Sequence, residues 1–289
     1  MIYERYFKLT ESDRWELETD IPWQEIDVGL ACGQPDVLEK LRNAALIESY
    51  APMFALKSLT LWWESVEESA IASIQFFEEY KHYYALKRYL DAVGMEIPER
   101  EVIEVRQRNF GSPYGEKARQ LANYMISEHF TAHFYKRLLE QAKEPVLCVL
   151  LNFLVRDEFR HANVFYSLLE RRLELEPATR DAIVEEALHF RHQGAEVVGE
   201  AVPIAQKNDF QTILSLWKKV EHLTGVNLRE YRKELMRVST GAVESNAGSE
   251  GSNQGRAGEA GNGRGAGRVR GASQGLAGNR GAGGNGAPV

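Results

Sequence analysis

Cysteine is scarce in this 289-residue sequence, which contains only Cys32 and Cys148. Two thiols are too few for a disulfide framework, and we expect both to be reduced and buried. No apolar run reaches the roughly eighteen residues of a membrane-spanning helix, so none is expected. The N-terminus, MIYERYFKLT, is charged and lacks the apolar stretch of a secretory signal. Together these absences favour a cytoplasmic protein.

Motifs for several common chemistries are also missing from residues 1–240. No Gly-rich phosphate loop, Cys-x-x-Cys pair or Gly-x-Ser-x-Gly elbow occurs there. No flavin or nicotinamide motif is visible either, so any redox reaction would need electrons from outside the chain. The net charge of −7 does not indicate a folded body that binds nucleic acid. Metal chemistry therefore has no visible competitor.

The last fifty or so residues have a different composition from the rest of the chain. Residues 241–289 hold 16 of the 24 glycines and no aromatic residue. Such a segment buries too little apolar surface to offset its ordering entropy. We therefore predict a folded domain over 1–240, with an N-terminal arm over 1–35, and a disordered Gly-rich tail over 241–289. Its arginine–glycine pairs would suit a weak contact with RNA or a partner, but a solvated appendage is the favoured interpretation.

Helix-breaking and helix-capping residues divide the body into helices. A helix that opens near Asp36 should be kinked by Pro52. Ser65 starts a capping-box pattern, and the helix that it begins should end at Gly94. Further helices are predicted over about 114–142, from Pro145 to about 174, from Pro177 onward and over about 208–237. The pattern predicts an all-α protein, a four-helix bundle with additional C-terminal helices.

Two segments share one spacing of glutamates and histidines. In each, a Glu-x-x-His pair follows a further glutamate, by 31 residues in the first segment and 30 in the second. Residues three apart lie on one face of a helix, so each pair can bind one metal ion. A turn near Ser65 and another near Pro145 would each lie about midway between the glutamates of one segment. The glutamates on the two helices of each hairpin would then lie at the same height, about 20 Å from the turn at ~1.5 Å per residue. The predicted ligands are Glu48, Glu79 and His82, and Glu128, Glu158 and His161.

Four carboxylates and two imidazoles on four helices are the ligand set of di-iron and di-manganese carboxylate proteins. The sequence therefore predicts two iron ions (Fe2+/Fe3+) per chain, with manganese as the alternative because ligand type does not separate them. The motif alone is weak, since chance predicts about one Glu-x-x-His pair in a chain of this composition. A third pair, Glu186/His189, lacks the upstream glutamate, and we interpret it as part of a solvated helix face.

Two acidic neighbours of the predicted ligands have open interpretations. Glu78 points about 100° away from Glu79 on the same helix, so it either supports the site from outside or lies on the surface. Asp157 either accepts a hydrogen bond from a ligand histidine or is a plain surface aspartate. A ligand triad of Asp157, His161 and another glutamate is a lower-ranked alternative, because it uses fewer of the matched features.

These residues and their surroundings resemble the soluble acyl-carrier-protein desaturases of the ferritin-like superfamily. IESYAP, FEEYKHYYALKRYLDAVG and RDEFRHANVFYSLLERRLELEP are similar to the family's ligand segments, and Glu128 to Thr131 repeats its Glu-x-x-Thr. The resemblance covers about residues 36–200 and implies that the six residues are iron ligands. It also implies that Thr131 assists oxygen activation or proton delivery. The alternative for Thr131 is an ordinary helix-interior hydroxyl bonded to a preceding carbonyl.

The resemblance implies an oxygen-dependent desaturase that acts on a fatty acyl chain. Its implied partners are a ferredoxin-like electron donor, an acyl carrier protein and a second copy of the chain in a homodimer. The sequence differs from the family in two regions: the first hairpin is shorter, and the segment after the sixth helix is missing. In the family these regions help to build the substrate entrance and the surface that docks the carrier protein. The alternatives are a di-iron oxygenase or N-oxygenase of a small metabolite, a ferritin-like ferroxidase, and a helical interaction module with an inactive site.

Overall fold

A computed structural model of the protein describes residues 1–108, 115–190 and 210–233. Secondary structure in these ranges is helical, without a strand, so the predicted all-α architecture is confirmed. The predicted tail over 241–289 lies outside the described residues. The helices are α1 (Ile2–Asp13), α2 (Val28–Cys32), α3 (Pro35–Glu48), α4 (Ala51–Trp62), α5 (Val66–Ala92), α6 (Glu99–Arg108), α7 (Lys117–Gln141), α8 (Pro145–Leu175), α9 (Thr179–His189) and α10 (Phe210–Thr224).

The first long helix of the bundle is interrupted between α3 and α4. Pro52 lies in the first turn of α4, where its missing N–H leaves no helical hydrogen bond unmade. The kink predicted at this proline takes the form of an interruption between Glu48 and Ala51. It makes Glu48 the last residue of α3, directly before the interruption.

Two helical hairpins build the bundle. Between α4 and α5, the Oγ of Ser65 accepts a hydrogen bond from the Glu68 N–H at 3.2 Å. α5 ends just before Gly94, whose φ of 80° is readily adopted only by glycine. α7 and α8 pack along their length. The turn between them ends at Glu144, whose carboxylate accepts from the Leu147 N–H at 2.7 Å. Both turns lie where the sequence predicts them.

In the described part of the chain, buried apolar residues form two clusters, one toward each end of the bundle. Along α5, one cluster extends to Phe76 and the other begins at Tyr83. Along α8, the order is reversed, with one cluster ending at Leu154 and the other beginning at Val164. The Glu-x-x-His pairs of α5 and α8 fall between these limits. Along α5 and α8, the predicted ligands therefore occupy a polar layer between two apolar layers.

The N-terminal arm packs against the bundle. α1 contacts α5 and α8, and the arm buries Tyr6 and Trp15. A 3₁₀ turn at Trp23–Glu25 and the short helix α2 connect it to the bundle.

α6 has no counterpart among the predicted helices. Its sequence EREVIEVRQR is dominated by charged residues, and its apolar contact is limited to Val102, Val105 and their neighbours. Arg106 on this helix donates to the carbonyl of Ser49 at 3.0 Å, at the interruption between α3 and α4. The ten residues of α6 carry two buried valines three positions apart, an apolar pattern too short to distinguish a helix from a loop.

The expectation that both cysteines are buried is wrong. Cys32 is exposed and Cys148 is half-buried, and both are free thiols. Cys32 closes the five-residue helix α2 at the edge of the arm, where few side chains cover it. Within the described ranges, none of the helices combines the length and the apolarity needed to cross a bilayer.

Candidate metal centre

Six side chains from α3, α5, α7 and α8 converge in the polar layer. Among the described residues they form two groups, and in each group one ligand-type atom per residue lies within 4.8 Å of the others. Glu79 and Glu158 belong to both groups. The first group is Glu48, Glu79, His82 and Glu158, and the second is Glu79, Glu128, Glu158 and His161. The structure thus brings together all six residues that the sequence predicts as ligands.

The two histidines turn their Nδ1 atoms toward the shared carboxylates. His82 Nδ1 lies 3.2 Å from Glu158 Oε1 and 3.6 Å from Glu79 Oε2. His161 Nδ1 lies 2.8 Å from Glu79 Oε1 and 3.4 Å from Glu158 Oε2. The imidazole rings are 5.8 Å apart. Each histidine therefore faces both shared glutamates, and the two halves of the site mirror each other.

The outer nitrogen of each histidine contacts a carboxylate from the opposite helix. His82 Nε2, on α5, lies 3.1 Å from Asp157 Oδ2 on α8. His161 Nε2, on α8, lies 3.0 Å from Glu78 Oε2 on α5. A carboxylate that accepts a hydrogen bond from Nε2 leaves Nδ1 as the metal-binding nitrogen of the ring. Glu78 and Asp157 thus support the histidines and are not surface residues.

The lower-ranked ligand triad does not form. Asp157 contributes to neither group of converging ligand atoms in the described part of the chain, whereas Glu158 contributes to both. Its carboxylate faces His82 on another helix, away from the converging atoms around His161. The matched set of six ligands is therefore the arrangement that the geometry favours.

Arg160 joins the two outer carboxylates, and the N-terminal arm adds two donors to them. The guanidinium of Arg160 contacts the carboxylate of Glu78 and donates to Asp157 Oδ1 at 2.8 Å. Trp15 Nε1 donates to Asp157 Oδ2 at 2.7 Å, and the Tyr6 hydroxyl donates to Glu78 Oε2 at 3.1 Å. The sequence spacing gives no sign of these contacts, because they join residues 142 and 72 positions apart.

Other hydrogen bonds orient the ligand glutamates themselves. The fully buried Tyr135 donates its hydroxyl to Glu48 Oε1 at 2.5 Å. Gln75 Nε2 donates to Glu79 Oε1 at 2.6 Å and to Glu128 Oε1 at 3.1 Å. Sequence reasoning does not identify Tyr135 or Gln75. The only local signal is that Gln75 lies four residues, one helical turn, before Glu79.

The crowded charges shift pKa values in opposite directions. Burial and the nearby Glu79 raise the pKa of Glu48 and of Glu128 well above the usual range. Burial also raises the pKa of Glu79, but the two histidines outweigh burial and lower it well below its usual value. Burial lowers the pKa of His82, yet the contact with Asp157 and the ligand carboxylates raise it well above the ordinary range. The metal-free cluster therefore holds protons that a bound cation would displace.

The buried atoms that lack hydrogen bonds fit a pair of metal ions. In the described part of the chain these atoms include Nδ1 of His82, Nδ1 of His161 and both carboxylate oxygens of Glu158. Other polar atoms lie close to these four atoms, but the angles at the contacts do not suit hydrogen bonds. An unsatisfied buried polar atom costs about 1–3 kcal/mol, and metal coordination would remove that cost. Carboxylate oxygen and imidazole nitrogen are ligands that suit iron and manganese. The donor set and its geometry therefore fit a di-metal centre.

Thr131 and the third Glu-x-x-His pair lie outside the converging groups. The Thr131 hydroxyl donates to the carbonyl of Ser127 at 3.0 Å, which is the alternative considered from the sequence. A role of Thr131 in oxygen chemistry stays a prediction. Glu186 accepts from Asn123 Nδ2 at 2.8 Å, and His189 is exposed. The interpretation of this third pair as part of a helix surface agrees with these contacts.

Comparison with known proteins identifies a likeness at the level of structure. No protein-family model matches the chain, and no curated protein matches it. Among solved structures, the R2-like ligand-binding oxidase from Sulfolobus acidocaldarius matches with a TM-score of 0.52 and 15% identity. The match covers 80% of this chain and 93% of that chain. This likeness shows the fold. The predicted ferritin-like helical bundle is confirmed, and the comparison does not single out the desaturases.

Proposed function

We propose that this protein is an oxygen-dependent di-iron oxidoreductase. The main support is the convergence of four buried glutamates and two buried histidines into two groups that share Glu79 and Glu158. The structural likeness to an R2-like ligand-binding oxidase agrees with this proposal. When bound, a pair of iron ions would supply redox chemistry with dioxygen, for which amino-acid side chains alone have no equivalent.

The chain's own residues would divide the work of holding the metals. Glu79 and Glu158 belong to both groups, so both residues would take part in holding each ion. All six ligand residues are at most 7% exposed, so the surrounding helices exclude bulk water from the site. Each ion would also have its own histidine and glutamate, His82 with Glu48 and His161 with Glu128.

For the reaction we propose desaturation of a fatty acyl chain held on an acyl carrier protein. The support is the resemblance of the ligand segments to acyl-carrier-protein desaturases, including Glu128 and Thr131 in Glu-x-x-Thr. Desaturation removes two hydrogens from adjacent carbons, and reducing dioxygen to water requires two further electrons. A ferredoxin-like protein is the proposed donor, since the sequence shows no flavin or nicotinamide motif.

A second candidate is a di-iron oxygenase or N-oxygenase that acts on a small metabolite. The likeness to an oxidase favours it as much as it favours a desaturase, because the two reactions use one kind of metal centre. An incubation of the protein with a reduced ferredoxin, oxygen and acyl carrier proteins that bear acyl chains of several lengths separates the candidates. The products are analysed by mass spectrometry. Loss of two hydrogens supports desaturation, and gain of an oxygen atom supports oxygenation. Iron oxidation without any organic product supports the ferroxidase alternative.

The metal assignment has its own test, with a control built into the sequence. Glu158→Ala removes a residue that belongs to both ligand groups, whereas Glu186→Ala changes the matching glutamate of the third Glu-x-x-His pair. We expect two iron ions per chain in the unmodified protein and in Glu186→Ala, and loss of iron in Glu158→Ala. Iron content is measured by inductively coupled plasma mass spectrometry. Full iron content in Glu158→Ala would show that the site is assigned wrongly.

We also propose that two copies of the chain pair through the outer faces of α4 and α5. Phe77, Tyr80 and Tyr84 follow the three- and four-residue spacing of one helix face, and all are exposed. Leu56 on α4 and Trp63, the residue directly after α4, are also exposed, and Trp63 is 72% exposed. The sequence of α4 contains one charged residue, Lys57, so this helix is apolar nearly all round.

The exposed area on these helices suits a second copy of the chain. An aromatic side chain buries about 150–250 Å² when it is covered, so these residues offer several hundred Å². A standard interface buries about 800 Å² per partner. A two-fold axis across α4 and α5 would bring the same apolar surface from each copy together, as a closed dimer requires.

A further inference from the structure

A cavity of about 290 Å³ lies between α1 and α8, outside the metal centre. Leu9, Phe159 and Val164 provide apolar parts of its wall. Among the described residues, its lining includes three arginines and one carboxylate, that of Asp13. The three arginines are Arg5, Arg156 and Arg160.

By formal count, the described residues that line the cavity leave one positive charge in excess. Arg160 already contacts Glu78 and Asp157, so its charge is offset within the bundle. The Asp13 carboxylate supplies one negative charge by formal count against the other two arginines, although Arg156 contacts only its backbone carbonyl. The cavity therefore suits an occupant with a single negative charge.

Arg160 also has hydrogen-bonding capacity that its known partners do not use. Its side chain is 7% exposed, and within the described part of the chain its Nε has no hydrogen-bond partner. Arg156 donates one terminal nitrogen to the Asp13 carbonyl at 2.5 Å, which leaves other guanidinium N–H groups for a ligand. Guanidinium groups match the planar, two-oxygen geometry of a carboxylate better than any other side chain does.

We propose that the cavity between α1 and α8 binds a small organic carboxylate with an apolar body. Arg5 and Arg156 would pair with its carboxylate, while Leu9 and Phe159 would contact the apolar part. A purely inorganic anion would leave that apolar wall uncovered. The amount of apolar lining therefore favours an organic ligand over phosphate or sulfate.

The position of the cavity links its occupant to the metal centre. Tyr6 and Arg160 line the cavity, and both contact Glu78. Glu78 in turn holds the outer nitrogen of His161. A bound ligand would therefore contact Tyr6 and Arg160. Only the Glu78 carboxylate separates these two side chains from His161, a predicted metal ligand. The binding site itself depends on α1 and α8 and does not require the proposed di-iron function.

Isothermal titration calorimetry of the purified, metal-loaded protein tests this proposal with 2-naphthoate as the probe. We expect one 2-naphthoate per chain, and binding weaker by about tenfold or more for the uncharged 2-naphthamide, since a charged hydrogen bond contributes ~1.5–3 kcal/mol. The double variant Arg5→Gln/Arg156→Gln should weaken 2-naphthoate binding by a similar factor. Arg100→Gln, on α6 with a side chain that is 88% exposed, is the matched control and should bind normally.

Ser167→Trp distinguishes this cavity from any other site on the protein. Ser167 lines the cavity, and an indole at this position would fill it. Binding of 2-naphthoate should disappear in this variant while its circular dichroism spectrum is unchanged. The proposal is wrong if 2-naphthamide binds as tightly as 2-naphthoate, or if inorganic phosphate binds equally well. The comparison of these compounds needs no variant, so a folding defect in a variant does not prevent the decision.

Discussion

Asp157 and His82 lie on different helices, and a 3.1 Å contact between Oδ2 and Nε2 joins them. The matching contact joins Glu78 on α5 to His161 on α8. Each histidine is therefore oriented by the helix that bears the other histidine. It follows that neither half of the centre takes its final geometry until α5 and α8 pack against each other, so the site is a product of tertiary folding.

Asp157→Asn tests the role of this contact. Asparagine keeps the size of the side chain but removes the negative charge that stabilises the orientation of His82. We expect the affinity for metal to fall about 10–100-fold, as for other carboxylates that support metal-binding histidines. Anaerobic titration of the metal-free protein with Fe2+ measures the change. Asp91→Asn, at a partly exposed position on the same bundle, is the control. Equal affinities in the two variants would contradict a supporting role for Asp157.

Arg160→Gln should reduce the stability of the fold itself. The substitution leaves the carboxylates of Glu78 and Asp157 buried without their cation. Removing one partner of a buried ion pair costs about 3–5 kcal/mol. Urea unfolding of the metal-free protein measures the free energy of unfolding. Arg100→Gln is the control, because a change at such an exposed position is usually within about 0.5 kcal/mol. A similarly small effect in Arg160→Gln would mean that water or other groups replace the guanidinium.

Metal loading should raise the melting temperature of the protein. The ligand atoms of the metal-free site are crowded and partly unsatisfied, and a cation bound only by the folded state stabilises it. At a free metal concentration of 100 times Kd the gain is about 2.7 kcal/mol. Calorimetry with and without Fe2+ under anaerobic conditions measures it. Glu186→Ala should show the gain and Glu158→Ala should not. A gain in both variants would indicate that the metal binds elsewhere.

The proposed pairing through α4 and α5 predicts that the chain is a dimer and that two substitutions convert it to a monomer. Phe77→Glu with Tyr84→Glu places charges on the exposed aromatic face of α5, where burial in an interface would be unfavourable. We expect light scattering to give the mass of a dimer for the unmodified chain and of a monomer for the double variant. Leu175→Glu, another exposed apolar position at 73% exposure, should remain dimeric. An unmodified chain that is monomeric at micromolar concentration would overturn the pairing.

Helix boundaries and ligand positions illustrate what could be predicted from local patterns. Ser65 and Pro145 mark turns through capping and through a fixed backbone angle, and both effects act within a few residues. The distances from these turns to Glu79 and Glu158 follow from the rise of a helix. α6 was not predicted although Pro98 directly precedes it, because ten residues with two buried valines give too short a pattern to distinguish from a loop.

The partners of the ligands illustrate what local patterns leave open. A carboxylate that points about 100° away from a ligand faces either a neighbouring helix or solvent, depending on where that neighbour lies. For this reason, the sequence leaves open whether Glu78 and Asp157 support a ligand or lie on the surface. Trp15 and Tyr135 were not identified at all, since nothing near them in the chain distinguishes them from ordinary core aromatics.

The sequence by itself determined most of the helices, but not α6, together with the turns and the six residues that converge, because period, capping and rise are properties of short stretches of chain. Only the tertiary structure decided which carboxylate supports which histidine, that Arg160 joins the two supports, and that the arm adds Tyr6 and Trp15 to them. Those contacts depend on the packing and relative rotation of α1, α5 and α8. No short stretch of sequence contains that information, because it arises from side chains that meet only when the helices are assembled.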